Sequence, residues 1–327
     1  MKKINLAQAS AVLVVALVLI FLLALLKGMP AGQFMQHLVN GISLGSLFAL
    51  IDIGYTMVYT ILRMINFAHG DVFMISMYFA FFAIAVFHLP WVLGFLVAIA
   101  MTALVGFSLE RFAYRPLRSA PKNSVLISAI GASFLLINLT TYLFTGFPKK
   151  FPDIGPLNKT IILGNDAVRF QFISIFIPIV AVVALAILVY IINRTKTGMA
   201  MRAVATDFEI SGAMGINENR IISLTFILGS SLAAIGGIMW GIKYPGFDPV
   251  TGIFPGVKCF IAAVVGGIGN VNGAVLGGLI IGLGEIMIVA LFPDLSGYRD
   301  AFAFIMLITI LMVKPAGILG TTVSEKV

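Results

Sequence analysis

Residues 72–109 read VFMISMYFAFFAIAVFHLPWVLGFLVAIAMTALVGFSL, without one Asp, Glu, Lys or Arg. A bilayer core about 30 Å thick is crossed by roughly 20 apolar helical residues. The stretch is therefore long enough for two crossings, and His88-Leu89-Pro90-Trp91 marks the hairpin between them. Pro90 ends a helix, and Trp91 suits a membrane interface.

Outward from this hairpin the same pattern repeats. Uncharged runs occupy Asn5–Leu26, Asn123–Pro148, Phe170–Asn193, Ile221–Ile242 and Cys259–Gly284. Gln33–Leu62 is broken only by Asp52, and Ala301–Val313 is a shorter run. The whole chain of 327 residues is 60% hydrophobic and 10% charged, against about 25% charged in soluble domains. These features predict an all-α integral membrane protein, a polytopic bundle of about 8–10 transmembrane segments that forms a single permease-like domain over 1–327. Lys2 and Lys3 before Asn5–Leu26 resemble a signal peptide. The run is long for a signal core, however, and only Lys27-Gly28-Met29-Pro30 follows it, so it reads as a retained first helix.

The net charge of +8 does not imply nucleic acid, because most of the 21 Lys and Arg lie in short loops between apolar runs. There they read as orientation signals. With the N-terminus in the cytoplasm, the inside positions are Lys2, Lys3, Arg63, Arg111, Arg115, Arg118, Lys122, Arg194, Lys196, Arg202, Arg220, Lys314 and Lys326, thirteen of the 21. This bias places both termini inside and requires an even number of crossings. Lys258–Pro293 is too long for one span and short for two. Gly266, Gly267, Gly269, Asn270, Asn272 and Gly273 interrupt it, which predicts a Gly/Asn-broken segment near 258–275 followed by a helix over Ala274–Phe292. Irregular backbone at membrane depth survives only where protein or a watery cavity satisfies it, so the break is expected to be buried near a pathway.

Several polar residues stand out. Asp52 and Glu285 lie deepest in apolar sequence, where a charge by default marks a cavity or pathway; neither has a basic residue within one helical turn. Arg63-Met-Ile-Asn66-Phe-Ala-His69-Gly70-Asp71 is the densest polar insertion between spans. It reads as an interfacial turn in which Gly70 bends the chain and Asn66 and Asp71 cap helix ends, with the helix starting at Val72. The same residues, Asn66, His69 and Asp71, are pathway candidates beside Asp52 and Glu285. Gly273-x-x-x-Gly277 and Gly278-x-x-x-Gly282 suit close helix packing, within this chain or against another subunit. Phe147–Arg169 reads as a solvated connection or a partner surface. Met199–Met214 reads as a short amphipathic helix stopped by Gly215. The three scattered histidines and the lone Cys259 suggest neither a metal site nor a disulfide. No phosphate loop, H-E-x-x-H or G-x-S-x-G is present, so enzyme activity is not expected and any ATP hydrolysis belongs to another chain.

Longer motifs occur in a recognisable order. They are Gly41-Ile-Ser-Leu-Gly45-Ser-Leu-Phe-Ala-Leu, Gly54-Tyr55-Thr56-Met57-Val58-Tyr59, Met64-Ile-Asn66-Phe67-Ala68-His69-Gly70-Asp71 and Glu110-Arg111-Phe-Ala-Tyr114-Arg115-Pro116-Leu-Arg118. Leu126-Ile-Ser128-Ala-Ile-Gly131, Ala263-Val-Val-Gly266-Gly267-Ile-Gly269 and Pro315-Ala-Gly317-Ile-Leu-Gly320 follow. Over residues 35–320 the chain resembles the permease subunits of bacterial branched-chain amino-acid ABC importers, and the LivH-like one of the two partner permeases. The resemblance implies translocation of leucine, isoleucine and valine across the cytoplasmic membrane. It implies a second permease subunit, two cytoplasmic ATPase subunits that bind ATP and Mg, and a periplasmic substrate-binding protein; no cofactor is expected on this chain. It also identifies 194–220 as an ATPase-coupling loop, with Arg202, Ala205, Asp207, Glu209, Gly212 and Gly215 as its residues. Glu209-Ile-Ser211-Gly212 stands where the family pattern has Glu-Ala-Ala, and Gly215-Ile216 follows as expected. Urea or short amides are the alternative substrates within this class. A secondary transporter without ATPases is the alternative outside it, and a non-transporting scaffold is disfavoured by the acids within the spans.

Overall fold

Prolines and short polar side chains set where the helices begin. Pro30, Pro90 and Pro121 stand with extended backbone immediately before three of them, so the missing proline N–H falls where a helix has no use for it. Thr195, Asp207, Asn217 and Asn270 cap four others through side-chain oxygens. The computed structural model describes residues 28–118, 120–163 and 168–320. The predicted first helix over Asn5–Leu26 lies outside the described residues.

The helices are α1 (Ala31–Leu62), α2 (His69–Phe81), α3 (Trp91–Ser108), α4 (Lys122–Phe144), α5 (Ile173–Arg194), α6 (Lys196–Thr206), α7 (Phe208–Ala213), α8 (Glu218–Lys243), α9 (Ile253–Gly266), α10 (Val271–Leu291) and α11 (Arg299–Val313). Wider turns extend α2 to Val86 and α3 to Tyr114. Among the described residues eight helices are long and apolar enough to cross a membrane, and α9 is a shorter ninth. The chain is a multi-pass, all-α membrane protein. The hairpin expected at His88–Trp91 is present, with His88 at φ 52° and α3 starting at Trp91.

At the centre α1 runs against α10, α8 and α9. α1 and α10 approach almost backbone to backbone: a Cβ added to Gly282 would lie 2.2 Å from the Gly45 nitrogen. The glycine spacings of α10 thus serve packing within this chain. Large apolar side chains of α3, α4, α5 and α11 point outward, among them Leu104, Leu135, Val182 and Ile308. Lipid is the medium in which such faces are stable.

One end of the bundle carries residues 145–163 and 168–172, the hairpin end; the other carries α6 and α7, the linker end. The hairpin end is not simply a solvated connection. Strands β2 (Thr160–Leu163) and β3 (Val168–Gln171) form an antiparallel hairpin, and β1 (Lys149–Lys150) pairs with β4 (Gly246–Phe247). Phe151, Ile154 and Leu157 are buried beneath them, with Phe151 against Phe247.

The broken segment differs from expectation in its location. A short helix, a Gly/Asn turn and a second helix are all present. The turn over 267–270, however, sits at the linker end, where the Gly269 carbonyl accepts from Thr60 near the end of α1. The C-terminal segment covers it through Ile318 N–H to Val265 O (2.9 Å), Leu319 N–H to Gly266 O (2.8 Å) and Asn270 Nδ2 to Leu319 O (3.0 Å). Gly266, Gly267, Gly269 and Asn270 therefore shape a turn at the linker end of the bundle. The irregular backbone at depth is instead Tyr244–Gly252. Its Phe247 packs edge-on to Tyr78 of α2 (4.9 Å), and Gly252 reaches Gly70.

Candidate translocation site and coupling segment

The polar insertion after α1 is neither interfacial nor a simple turn. Arg63 adopts a left-handed conformation (φ 52°, ψ 34°) that ends α1, and the chain folds back so that α2 starts at His69, not Val72. The His69 ring packs on Gly54, and its Nε2 lies 3.0 Å from the Ile51 carbonyl oxygen. At ~1.5 Å per residue, Gly54 is about 12 Å from the end of α1, so α2 begins within the bundle. Neither Asn66 nor Asp71 caps it. The Asn66 side-chain oxygen instead accepts from the Tyr114 hydroxyl at 2.6 Å.

α9 begins at the same depth. A Cβ on Gly70 would meet the Gly252 carbonyl oxygen at 2.6 Å, and one on Gly252 would meet the Gly70 oxygen at 2.2 Å. Gly70 is thus required for contact between two helix starts, not for a bend. Beside this contact opens a cavity of about 460 Å³ between α1, α2, α4, α9 and α11. Small-molecule sites commonly occupy about 300–1,000 Å³. Its wall is mostly apolar, with Ile130, Phe134, Ile137, Phe260 and Leu307, while Tyr55, Asn66, Asp71 and Ser133 bring polar atoms to it. Ser133 is within hydrogen-bonding reach of Asp71.

Of the five pathway candidates, only Asn66 and Asp71 line this cavity. His69 supports it from behind, edge-on to Tyr55. Asp52 is fully buried; Thr56 donates to one carboxyl oxygen at 3.3 Å, and the other has no partner. Glu285 belongs to a separate cluster nearer the hairpin end. Lys258 Nζ of α9 lies 2.7 Å from Glu285 and 2.6 Å from Asp300, and Arg299 also bonds Glu285. Glu285 therefore does have basic partners, drawn from two other helices. Their sequence separations of 27 and 14 residues run across helix ends, so helical spacing cannot relate them.

At the linker end the expected single helix is two. Asp207 breaks it by accepting from the Ile210 N–H at 3.0 Å and capping α7; Gly215, at φ 82°, ends the segment. Arg202 bonds the Ile192 carbonyl. Arg202 and Ala205 line a small cavity of about 180 Å³ shared with Thr60 and Gly269. Gly212 packs against the Glu218 side chain, and Glu209 lies on α7. Met199, Ile210 and Met214 are exposed.

Glu110 is a functional candidate that the sequence showed only as one residue of a longer motif. It is fully buried, accepts from Ser223 at 2.6 Å, and pairs with Arg118 and with Arg115 (3.4 Å). Arg118 also donates to Asn219 at 2.8 Å. Burial draws the Arg118 guanidinium below its usual pKa, with Glu110 opposing the shift. This cluster ties the end of α3 to the start of α8, directly beside the coupling segment. An acid next to Arg115 and Arg118 at a span end was its only sequence signal.

The family model for the branched-chain amino acid transport system permease component matches residues 37–311. The chain is 41% identical over 306 residues to the high-affinity branched-chain amino acid transport system permease protein BraD of Pseudomonas aeruginosa, covering 90% of this chain and 98% of that protein. It is 40% identical over 305 residues to the corresponding LivH of Escherichia coli, with the same coverage. The probable LivH of Methanocaldococcus jannaschii is 25% identical over 307 residues, covering 86% of this chain and 91% of the relative.

Proposed function

The chain belongs to the permease-component family of branched-chain amino acid transport systems, and from that premise we propose that it carries leucine, isoleucine and valine through the bacterial cytoplasmic membrane as one permease of an ATP-driven importer. The observation that carries this reading is the apolar cavity at the start of α2 and α9. Aliphatic side chains lose nothing against its wall, and the discontinuous helices beside it are the kind of element that can hold a solute and still move.

The linker end faces the cytoplasm. Arg63, Arg111, Arg115, Arg118, Arg194, Lys196, Arg202, Arg220 and Lys314 all fall at that end, as the positive-inside rule requires, and we infer that both termini, outside the described residues, are cytoplasmic as well. Two ATPase subunits dock there, on α6, α7 and their exposed Met199, Ile210 and Met214. Residues 194–220 act as the coupling loop: Arg202 and Ala205 pass movement to α1 and the 267–270 turn, and the Glu110 cluster passes it to α3 and α8. ATP and Mg are bound by those subunits, not by this chain. A second permease completes the conduit, and a periplasmic binding protein delivers substrate to the hairpin end.

The test is uptake of labelled leucine by vesicles holding the assembled importer. Uptake should require trapped ATP and survive a protonophore, and Glu209→Lys should lower both ATPase association and uptake. Uptake that follows a proton gradient and ignores ATP would overturn the reading.

A further inference from the structure

The Gly70–Gly252 contact brings the N-termini of α2 and α9 together inside the bundle. The positive ends of two backbone dipoles therefore converge on one cavity. A second observation points to a ligand there. Tyr55 is 4% exposed, lines the cavity, and its hydroxyl has no hydrogen-bond partner. Its ring is held by His69 on one side and Phe260 on the other, at centroid distances of 5.8 and 6.0 Å. Buried polar groups are normally paired, so the unpaired hydroxyl of this cavity-lining residue is a donor without an acceptor. Asp71, 2% exposed, presents an acceptor in the same space.

Donor and acceptor thus stand around one apolar chamber. We propose that this cavity recognises the charged head of a free α-amino acid: Asp71 receives the ammonium, while the Tyr55 hydroxyl and the α9 N-terminus receive the carboxylate. The side chain then lies against Phe134, Ile137 and Leu307. This rests on the amino-acid reading above and adds the atoms that select for it. An uncharged amide or urea can offer that acceptor only a neutral N–H, with no charge to match the carboxylate or the two positive helix ends, so the same arrangement favours the zwitterion over it.

Full-length chain in lipid nanodiscs is titrated to millimolar concentration with leucine, leucinamide, 4-methylpentanoate or urea, and ligand contact is read by saturation-transfer NMR. Leucinamide lacks the carboxylate and 4-methylpentanoate the ammonium. Wild-type protein should contact leucine about tenfold more tightly than either analogue, the scale of one hydrogen bond to a charged group. Tyr55→Phe should weaken leucine about tenfold and abolish its advantage over leucinamide; Asp71→Asn should do the same relative to 4-methylpentanoate. Because the Tyr55 hydroxyl has no partner, Tyr55→Phe should fold normally, and it carries the test alone if Asp71→Asn aggregates. Leucine contact that is absent in wild type, or unchanged in the variants, overturns the proposal. If leucine uptake by the assembled importer persists in that case, the transport reading stands without this site. Contact with urea and none with leucine overturns both.

Discussion

α1 and the last span are equally apolar, yet 94% of the central stretch of α1 lies inside the bundle against 6% for Pro293–Val313. The difference is one of side-chain size. α1 carries Gly41, Ser43, Gly45, Ser46, Ala49 and Gly54, and its neighbours press against that face. α11 carries Ile305, Ile308, Leu311 and Met312, which point away from the protein. Lipid tails are as apolar as leucine, so apolarity alone gives a helix no reason to be inside; close approach of small residues does. α11 is attached differently. Its first turn supplies Arg299 and Asp300 to Glu285 and Lys258, while its body has only Ala303 buried.

This contrast between a helix held by packing and one pinned by charge can be broken at either end. The largest effect is expected from Gly282→Leu. The neighbouring atom is backbone of α1 and cannot rotate away, so the cost should exceed the ~3 kcal/mol usual for overpacking. Size-exclusion chromatography should recover no folded protein. Next comes Lys258→Met, which leaves the buried Glu285 with Arg299 alone and Asp300 without its lysine, and should lower stability by about 3 kcal/mol, the low end for breaking a buried pair, read as detergent-solution thermal unfolding. Adding Glu285→Leu removes the remaining acid and should restore only part of that loss; full recovery would show that α11 is held by something other than this ion cluster. The smallest effect belongs to Ile308→Ala, a lipid-facing change expected within ~0.5 kcal/mol by the same measurement. A large loss there would mean that this face is covered by protein.

The same contrast explains what was legible. The spans could be read because length and apolarity are local properties, and the 88–91 hairpin because Pro90 and Trp91 act locally. The Asp207 break was missed although Asp is a strong N-cap, since the surrounding helix formers masked it. The re-entrant Tyr244–Gly252 had Pro245, Gly246, Pro249 and Gly252 as its signal, but these residues mark an ordinary loop equally well. Asn66 and Asp71 stood out as polar residues between apolar runs, yet their depth was not visible. Tyr55 stood in the sequence only as one residue of the Gly54–Tyr59 motif: one tyrosine in an apolar helix is unremarkable until its hydroxyl is found unpaired.

From the amino-acid order alone follow the all-helical membrane class, the number and limits of most spans, the likeness to a permease family and the linker that resembles a coupling loop. Each depends on residues within a few turns of one another. Only the folded chain decides that α2 and α9 start at mid-depth, that Lys258 meets Glu285, and that Asn66 and Asp71 share a cavity with Tyr55 while Asp52 does not. Those facts depend on which helix lies beside which, and that is settled by close packing between segments far apart in sequence, where helical periodicity carries no information.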